Sequence, residues 1–464
     1  MRFTQIEFII LIITMVLVLS QVRSRRIRHA LILLGNYYFY AYWDYRFLGL
    51  ILVPTLLDFC VAKRIDKLKH SGARRALLII SLLVNLGILG FFKYFNFFLS
   101  SFKSLPMVSD LDSHTWDIIL PLGISFYTFR VISYTIDVYQ NRLKPCNQLL
   151  DFALYVSFFP IMTSGPIVRA SAFLPQLKTS TVSLKRFYSG YRYFVIGLFQ
   201  KAFVADNVAM FVNHFYDNHA AFNTSTCWLA IIAYTIQIYC DFAGYSNMAI
   251  GIACCLGFDI EKNFNFPYLS TSISEFWCRW HISLSSWIKD YIYIPLGGNR
   301  RGRRRTYANL IIAMTLCGLW HGASWLFVLW GFFHGIILVL SHSMRSFITN
   351  RIKSPACILS FLGWVFTFTI VTFGWIYFRS SSFAQATSIQ TQLLSIKSGI
   401  SWYPPFVVFI IIATGIIHVL KRMEVKLIDL PIESKYTPTV LFCLIWLVII
   451  YYPKGFQPFV YAQF

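Results

Sequence analysis

Long apolar runs repeat along almost the whole chain, and no other feature constrains its fold as strongly. About ten or more runs, each of roughly 16 to 23 residues, could form helices that cross a hydrocarbon layer of about 30 Å. The clearest occupy residues 3–22, 76–92, 118–136, 228–245, 310–325, 358–378, 405–420 and 439–452. Since 57% of the 464 residues are hydrophobic and only 13% are charged, the chain is too apolar for a soluble domain of this length. These runs predict an all-α polytopic membrane protein with roughly 11–12 transmembrane helices, together with re-entrant or interfacial helices around a central funnel.

The basic residues predict how the chain is oriented. The formal net charge is +22, but Lys and Arg are concentrated in short loops such as "RSRRIRH", "KRIDKLKHSGARR" and "NRRGRRR". The loops "SDLDSHTWD" and "HFYDNHAAFNTST" and the tail "GFQPFVYAQF" contain neither residue. This alternation follows the positive-inside rule, so we interpret the charge as topogenic, predict no nucleic-acid partner and place both termini on the extracytoplasmic side.

The sequence also indicates how the chain is divided and what it does not bind. No internal repeat or linker separates domains, which predicts a single membrane domain over residues 1–464. Ten cysteines are scattered through the chain without a CxxC pair, so neither a disulfide framework nor a metal site is predicted.

Two stretches interrupt the alternation of apolar runs and loops. Residues 154–170, "LYVSFFPIMTSGPIVRA", contain two prolines and a glycine between basic flanks, which predicts a segment that enters the membrane and returns on the same side. The second stretch, residues 240–305, mixes apolar and ionisable residues too closely for a span. Within it, residues 274–293 carry polar and aromatic side chains at helical spacing and predict one interfacial amphipathic helix that begins near Ser274.

Several sequence motifs resemble those of one family of membrane enzymes. The motifs are "DFAGYSNMAIG", "NFNFPYLSTSISEFWCRWHISLSSWIKDYIYIPLGGNR", "GLWHGASW" and "TFGWIYFR", with "FFKYFNFF", "LPLGISFYTFRVISYTIDVY", "FFPIMTSGPIVR" and the terminal "FVYAQF". Together they are similar to the signatures of the membrane-bound O-acyltransferase superfamily, in particular its bacterial alginate O-acetyltransferase branch.

The resemblance implies an enzyme that transfers an acyl group, usually acetyl, to a hydroxyl of a secreted or cell-surface polysaccharide. It implies a position in the bacterial cytoplasmic (inner) membrane, in contact with membrane lipid, and no bound cofactor. The implied donor is acetyl-CoA or another acyl thioester, such as an acyl carrier protein. The implied partner is a periplasmic acetyltransferase that modifies the polysaccharide.

Histidine is the side chain best suited to remove the proton of an acceptor hydroxyl near neutral pH. His321 lies in the apolar stretch "GLWHGA", where an ionisable residue is a functional candidate, and the resemblance implies a catalytic role for it. Gly318 and Gly322 beside it would let a substrate approach closely. His281 in "RWHISLS" matches the second histidine of the family, with a role in donor positioning or proton movement. His334 is expected to bond across helices or to provide packing.

Further residues form a candidate set for substrate or donor binding, which includes Trp320 as well as Gly322 and His334. Asp241, with Gln237 one turn earlier, is predicted to lie on a polar stripe that faces a cavity. Asp241 could orient a histidine or pair with Arg279, and a purely structural ion pair explains it equally well. Glu275 and Arg279 are four residues apart and could form only a helix-surface pair. The arginines of "NRRGRRR" could bind donor phosphates or only orient the chain.

Three other functions remain open from the sequence. Peptidoglycan O-acetylation and D-alanyl transfer to teichoic acid are chemically close to the first prediction, and the latter requires a carrier protein on the cytoplasmic side. A transporter or flippase would also contain broken helices and intramembrane polar groups, but the sequence lacks the inverted repetition that such proteins often show.

Overall fold

The structure is a computed structural model that describes residues 3–103, 116–163, 165–351, 356–425, 430–431 and 434–453, without the side chains of 344–351 and 356. The terminal "FVYAQF" motif lies outside the described residues. Two compact units divide the chain: unit 1 comprises Met1–Phe194 and Met248–Glu261, and unit 2 comprises Val195–Asn247 and Lys262–Phe464. That both belong to one membrane domain stays a prediction.

Helices account for the regular structure of the described residues, where the only pairing of extended backbone is an isolated parallel bridge between Phe222 and Ile400. In the same part of the chain, seven helical stretches are long and apolar enough to cross a membrane. They are Arg25–Lys67, Ser71–Lys103, Leu184–Asp217, Thr224–Cys255, Trp325–Ser343, Cys357–Arg379 and Pro405–Arg422. Three shorter apolar stretches are Ile6–Gln21, Leu149–Ile161 and Thr437–Ile450. The prediction of an all-α polytopic membrane protein is confirmed.

Polar contacts connect the apolar helices of unit 1. Its helices are α1 (Ile6–Gln21), α2 (Arg25–Asp44), α3 (Leu48–Lys67), α4 (Ser71–Leu89), α5 (Phe95–Lys103), α6 (Ile124–Tyr139), α7 (Leu149–Ser157), α8 (Ala170–Phe173) and most of α9 (Leu184–Leu198). Asp58 of α3 accepts hydrogen bonds from Ser81, from Asn85 at 2.8 Å and from Thr135 of α6 at 2.7 Å. Because lipid is as apolar as the helix surfaces, such buried hydrogen bonds specify which faces meet.

The segment predicted to be re-entrant is broken and buried. α7 is followed by a 3₁₀ turn at Phe159–Ile161, and the described residues between this turn and α8 form no helix or strand. The Phe159 amide donates to Asn36 Oδ1 at 3.2 Å, and the Tyr155 hydroxyl lies 3.2 Å from the carbonyl oxygen of Val168. Irregular backbone is tolerated at membrane depth only with partners of this kind. The return of the segment to the same side of the membrane stays a prediction.

Unit 2 contains the helices after residue 205, apart from the C-terminal part of α11. They are α10 (Asp206–Asp217), most of α11 (Thr224–Cys255), α12 (Ile273–Arg279), α13 (Ile282–Ile288), α14 (Arg303–His321), α15 (Trp325–Arg351), α16 (Ala356–Arg379), α17 (Phe383–Leu394), α18 (Pro405–Arg422) and α19 (Thr437–Ile450). α11 continues to Cys255, so the prediction that residues 240–305 are too mixed for a membrane span is wrong for residues 240–255, which lie in the candidate span Thr224–Cys255. The ionisable side chain in this part of α11, Asp241, is buried by protein and need not end the helix.

The predicted interfacial helix over residues 274–293 is two helices instead of one. α12 begins after Ser272, whose hydroxyl accepts from the amide of Glu275 at 3.2 Å, and not near Ser274. It ends before His281, where a left-handed backbone conformation (φ 42°, ψ 55°) turns the chain into α13. The aromatic face of α12 packs in the hydrophobic core of unit 2. Protein rather than lipid therefore covers this face, which the interfacial interpretation had assigned to the membrane surface.

Candidate active site

A helical hairpin in unit 2 fixes the position of His321. α14 ends at His321, the chain is extended at Gly322 (φ −166°, ψ 151°), and α15 begins at Trp325. A Cβ atom at Gly318 would collide with the carbonyl oxygen of Phe327. The glycine therefore serves the close crossing of α14 and α15, and the prediction that it leaves room for substrate is wrong.

Aromatic rings surround His321, of which only 2% is exposed. The ring centroids of Trp320, Trp330 and Phe378 lie 5.1, 5.2 and 5.4 Å from its own. Its Nε2 atom lies 4.0 Å from Cys317 Sγ, one turn earlier on α14. The ring therefore occupies a dry aromatic pocket, in which electrostatic interactions are stronger than in water.

His281 lies beside His321, as the functional prediction requires. The two ring centroids are 6.4 Å apart, and Trp320 contacts both rings, at 6.0 Å from His281. His281 is fully buried, and its left-handed backbone directs the ring inward at the break between α12 and α13. A non-glycine residue with positive φ is strained by about 1 kcal/mol or more, and such strain is common at functional sites.

Asn263 determines which nitrogen of His281 carries the proton. Asn263 Oδ1 accepts from the amide of Ser283 at 3.1 Å and from its hydroxyl at 2.8 Å, which identifies this atom as the oxygen. His281 Nδ1 lies 3.2 Å from the same oxygen and must donate to it. Burial lowers the pKa of His281 to about 3, so the ring is neutral at ordinary pH. Nε2 is then the nitrogen that can accept a proton or a hydrogen bond.

A cavity of about 640 Å³ lies next to the loop that follows His321. It is lined by Lys201, Ala205, Asp206, Ala209, Asn213, Asp217, Gln237, Asp241, Gly322, Ala323, Ser324, Leu326, Phe327, Tyr377, Phe378, Arg379, Ser380 and Ser381. The prediction that Gln237 and Asp241 face one cavity is therefore confirmed. The histidines are not among the described residues that line this cavity, although Phe378 contacts both the cavity and the His321 ring.

Lys201 is the ion-pair partner of Asp241. Its Nζ atom lies 2.6 Å from Asp241 Oδ1 and 2.7 Å from Asp206 Oδ1, and all three side chains are largely buried. Lys201 sits on a π-helical turn, Phe199–Ala205, and π-turns are frequent at functional sites. α11 can approach this turn closely because Gly244 has no side chain: a Cβ there would lie 2.9 Å from the backbone nitrogen of Lys201.

The predicted pairing of Asp241 with Arg279 is wrong. Arg279 donates to Glu275 Oε1 at 2.9 Å, one turn earlier on α12, and to the carbonyl oxygen of Asn265 at 3.2 Å. The alternative prediction, a pair on the surface of one helix, is confirmed. Because the Glu275 and Arg279 side chains are about one third exposed, at 32% and 31%, this pair contributes little to stability.

His334 occupies a different environment from the other two histidines. It is fully buried on α15, and its ring centroid lies 5.3 Å from that of Trp277 and 4.9 Å from that of Trp330. Among the described residues, neither ring nitrogen has a hydrogen-bond partner, so the predicted bond across helices is wrong and the alternative prediction, packing, is confirmed. Gly374 of α16 lets the ring pack directly against the helix backbone, since a Cβ there would lie 2.9 Å from His334 Nε2.

Comparison with known proteins identifies the family. Residues 141–383, which include the two histidines, Asn263 and the Lys201 ion pairs, match the membrane-bound O-acyltransferase family. Over 398 residues the chain is 39% identical to the probable alginate O-acetylase of Azotobacter vinelandii, across 85% of this chain and 78% of the relative. The chain belongs to the membrane-bound O-acyltransferase family.

Other relatives of this O-acyltransferase are also named as acyl-transferring enzymes, but their names state different acceptor polymers. The chain is 36% identical over 389 residues to the peptidoglycan O-acetyltransferase of Helicobacter pylori, across 77% of this chain and 72% of the relative. It is 28% identical over 299 residues to the teichoic acid D-alanyltransferase of Bacillus subtilis, across 61% of this chain and 74% of the relative. The chain is thus a membrane-embedded enzyme of acyl transfer, as its motifs implied.

Sequence reasoning missed three polar residues of this O-acyltransferase site. Lys201 and Asp206 lie in "QKAFVAD", within a largely apolar run, and an intramembrane charge is itself a functional signal that could have identified them. Asn263 in "EKNFNF" carries no comparable signal, because asparagines in loops are common and its partner His281 follows 18 residues later.

Proposed function

We propose that this O-acyltransferase moves acetyl groups from a donor on the cytoplasmic side of the bacterial inner membrane for O-acetylation of a secreted or cell-surface polysaccharide. The names of two relatives support an O-acetylated polymer, alginate in one and peptidoglycan in the other. The observation that carries the proposal is the buried pair of His281 and His321, whose ring centroids are 6.4 Å apart in a dry aromatic pocket.

In this proposal His321 is the general base. It removes the proton of the acceptor hydroxyl, whose oxygen attacks the carbonyl carbon of the acyl thioester. The new C–O bond forms as the C–S bond breaks, and the protonated ring returns the proton to the leaving thiolate sulfur. Neutral His281 positions the acceptor or donor by accepting a hydrogen bond at Nε2. The rings around His321 keep bulk water away, which limits hydrolysis of the thioester.

The cavity supports access of the acceptor from the extracytoplasmic side. Asp217, which lines the cavity, lies in "HFYDNHAAFNTST", the loop predicted to be extracytoplasmic because it lacks Lys and Arg. From there the cavity extends to Gly322, the chain neighbour of His321. Its volume of about 640 Å³ is within the range of small-ligand sites and could hold a sugar unit. Both termini are placed on the same extracytoplasmic side.

The donor in this proposal is acetyl-CoA or another acyl thioester, including an acyl carrier protein. The five arginines of "NRRGRRR" are exposed and suited to its phosphates. Changing Arg303, Arg304 and Arg305 together to Gln should weaken donor use without altering topology, because other basic loops still orient the chain. Inverted or missing protein would instead assign these arginines to orientation. The acceptor hydroxyl belongs either to the polysaccharide or to a periplasmic acetyltransferase, the proposed partner, which then passes the acetyl group to the polymer.

The acceptor can be tested in a strain that lacks this gene. Ester-linked acetate released by mild alkali is measured separately on the exopolysaccharide and on peptidoglycan. Polysaccharide acetate should be lost and should return with the wild-type chain but not with His321→Ala at equal protein level. Loss confined to peptidoglycan would assign the chain to that acceptor, and loss of D-alanyl esters would assign it to teichoic acid. If the strain loses none of these esters, the proposal is contradicted.

A further inference from the structure

Arg130 of α6 is a fully buried guanidinium in unit 1. Its Nη1 atom donates to the carbonyl oxygen of Tyr155 at 3.2 Å. Within the described ranges, Nε and Nη2 have no hydrogen-bond partner, and no carboxylate forms an ion pair with the guanidinium. Arginine does not lose its proton in proteins, so the charge remains. A charge buried without a counterion is strongly unfavourable, so this guanidinium indicates a candidate site for an anion.

Two tyrosine hydroxyls in the same unit also lack partners. Tyr127 lies three residues before Arg130 and therefore on the same face of α6. Tyr40 of α2 is close enough to Tyr127 for the two side chains to interact electrostatically. Both tyrosines are fully buried, and neither hydroxyl has a hydrogen-bond partner among the described residues. Unit 1 thus contains a buried group of donors without a matching acceptor.

Charges of both signs surround this group, since the buried carboxylate of Asp58 accepts from Thr135 of α6 at 2.7 Å. The Tyr155 side chain interacts electrostatically with two guanidinium groups, Arg130 and Arg169, and with one carboxylate, Asp137. The attraction for an anion therefore comes from the Arg130 guanidinium itself, whose Nε and Nη2 atoms have no hydrogen-bond partner among the described residues.

We propose that Arg130, Tyr127 and Tyr40 form a binding site for a phosphate group. A phosphate offers three oxygens, enough for the planar guanidinium fork and for hydroxyl donors, whereas a carboxylate offers two. The phosphate could belong to a phosphopantetheine chain or to a lipid headgroup. This site goes beyond the proposed function, because it is separate in sequence from both histidines and its test does not depend on turnover.

Binding is measured on the purified chain in uncharged detergent, with 4′-phosphopantetheine and with pantetheine, which differ only by the phosphate. The phosphorylated compound should bind at least about tenfold more tightly, the effect of a charge-assisted hydrogen bond to a buried group. Arg130→Gln should remove this difference. If the phosphate comes from lipid, thermal stability in nanodiscs should instead increase with phosphatidylglycerol over phosphatidylcholine in an Arg130-dependent way. If the wild-type chain shows neither effect, the proposal is overturned.

A second comparison separates an anion site from a structural role of Arg130. Since Gln buries no charge, ligand-free Arg130→Gln should be at least as thermally stable as the wild type, whereas a structural clamp predicts a loss. The control is Arg186→Gln, which removes an ion pair with Asp259 in the same unit and should leave the phosphate preference unchanged. Should Arg130→Gln not fold, Tyr127→Phe must reduce the preference for phosphate, and an unchanged preference would overturn the site.

Discussion

Asn263 is predicted to control His281 through a single oxygen. Its Oδ1 atom accepts from His281 Nδ1 at 3.2 Å, from the Ser283 amide at 3.1 Å and from the Ser283 hydroxyl at 2.8 Å. Asn263→Ala removes this acceptor without adding bulk. His281 then loses the partner that keeps its proton on Nδ1. The proton can instead occupy Nε2, which then no longer accepts a hydrogen bond.

The expected magnitudes follow from counting these donors. The half-buried Ser283 hydroxyl can turn to another acceptor, but the Ser283 amide and His281 Nδ1 lose theirs. At about 1 kcal/mol or slightly more for each, the free energy of unfolding should fall by about 2–3 kcal/mol. The rate of acyl transfer should fall further, by about 10²-fold, because in the wrong tautomer Nε2 no longer accepts the hydrogen bond that positions a substrate.

The assay is ester-linked acetate formed per amount of folded enzyme, with thermal unfolding measured in parallel. Asn265→Ala is a matched control in the same loop, since the Asn265 side chain is exposed and only its backbone carbonyl contacts Arg279. Asn263→Asp retains the acceptor but adds a charge that raises the pKa of His281 from about 3. Below that raised pKa, Nε2 is protonated, so activity should decline as the pH falls. If Asn263→Ala matched Asn265→Ala in activity and stability, the tautomer argument would be refuted.

Further predictions concern the other buried residues of unit 2. His321→Ala should abolish acetylation at normal protein level, whereas His334→Ala should cost much less, and equal losses would show that the reacting ring is misassigned. Lys201→Met should lower the free energy of unfolding by about 3–5 kcal/mol, because it leaves two carboxylates without their cation. Adding Asp241→Asn should restore part of that stability, as thermal unfolding can show. Gly318→Val should prevent the crossing of α14 and α15 and reduce the yield of folded protein, and a normally folded variant would contradict the steric argument.

The membrane helices were predictable because hydrocarbon imposes a simple requirement. A spanning segment must be about 20 residues long and must satisfy its own backbone hydrogen bonds, so length and hydropathy identify it. The same rule failed at residues 240–255. There the mixture of apolar and ionisable residues predicts that no span occurs, whereas Lys201 neutralises Asp241 inside the protein. Local sequence cannot reveal such a partner, which lies 40 residues away and is brought close by the crossing of two helices at Gly244.

The two histidines were predictable from motifs, but their arrangement was not. The distance between them depends on where the backbone stops being helical. A regular helix over residues 274–293 fits the spacing of polar and aromatic side chains, yet the chain breaks at His281. The periodic pattern continues across the two residues that separate α12 from α13, so the pattern alone does not reveal the break.

The break at His281 connects these observations. A left-handed conformation costs about 1 kcal/mol or more for a non-glycine residue and persists only where the surrounding contacts stabilise it. The described contacts include the His281 bond to Asn263, the Ser283 bonds to the same oxygen, and the packing of the ring edge against Phe242, at 4.6 Å between centroids. Asn263 Oδ1 accepts from the ring of His281 and from the amide of Ser283, the second residue of α13, so one oxygen connects the residue at the break with the helix that follows. The hydrogen bond that keeps the proton on His281 Nδ1 therefore also stabilises the left-handed backbone of His281. A substitution that removes this hydrogen bond should destabilise the break between α12 and α13 as well.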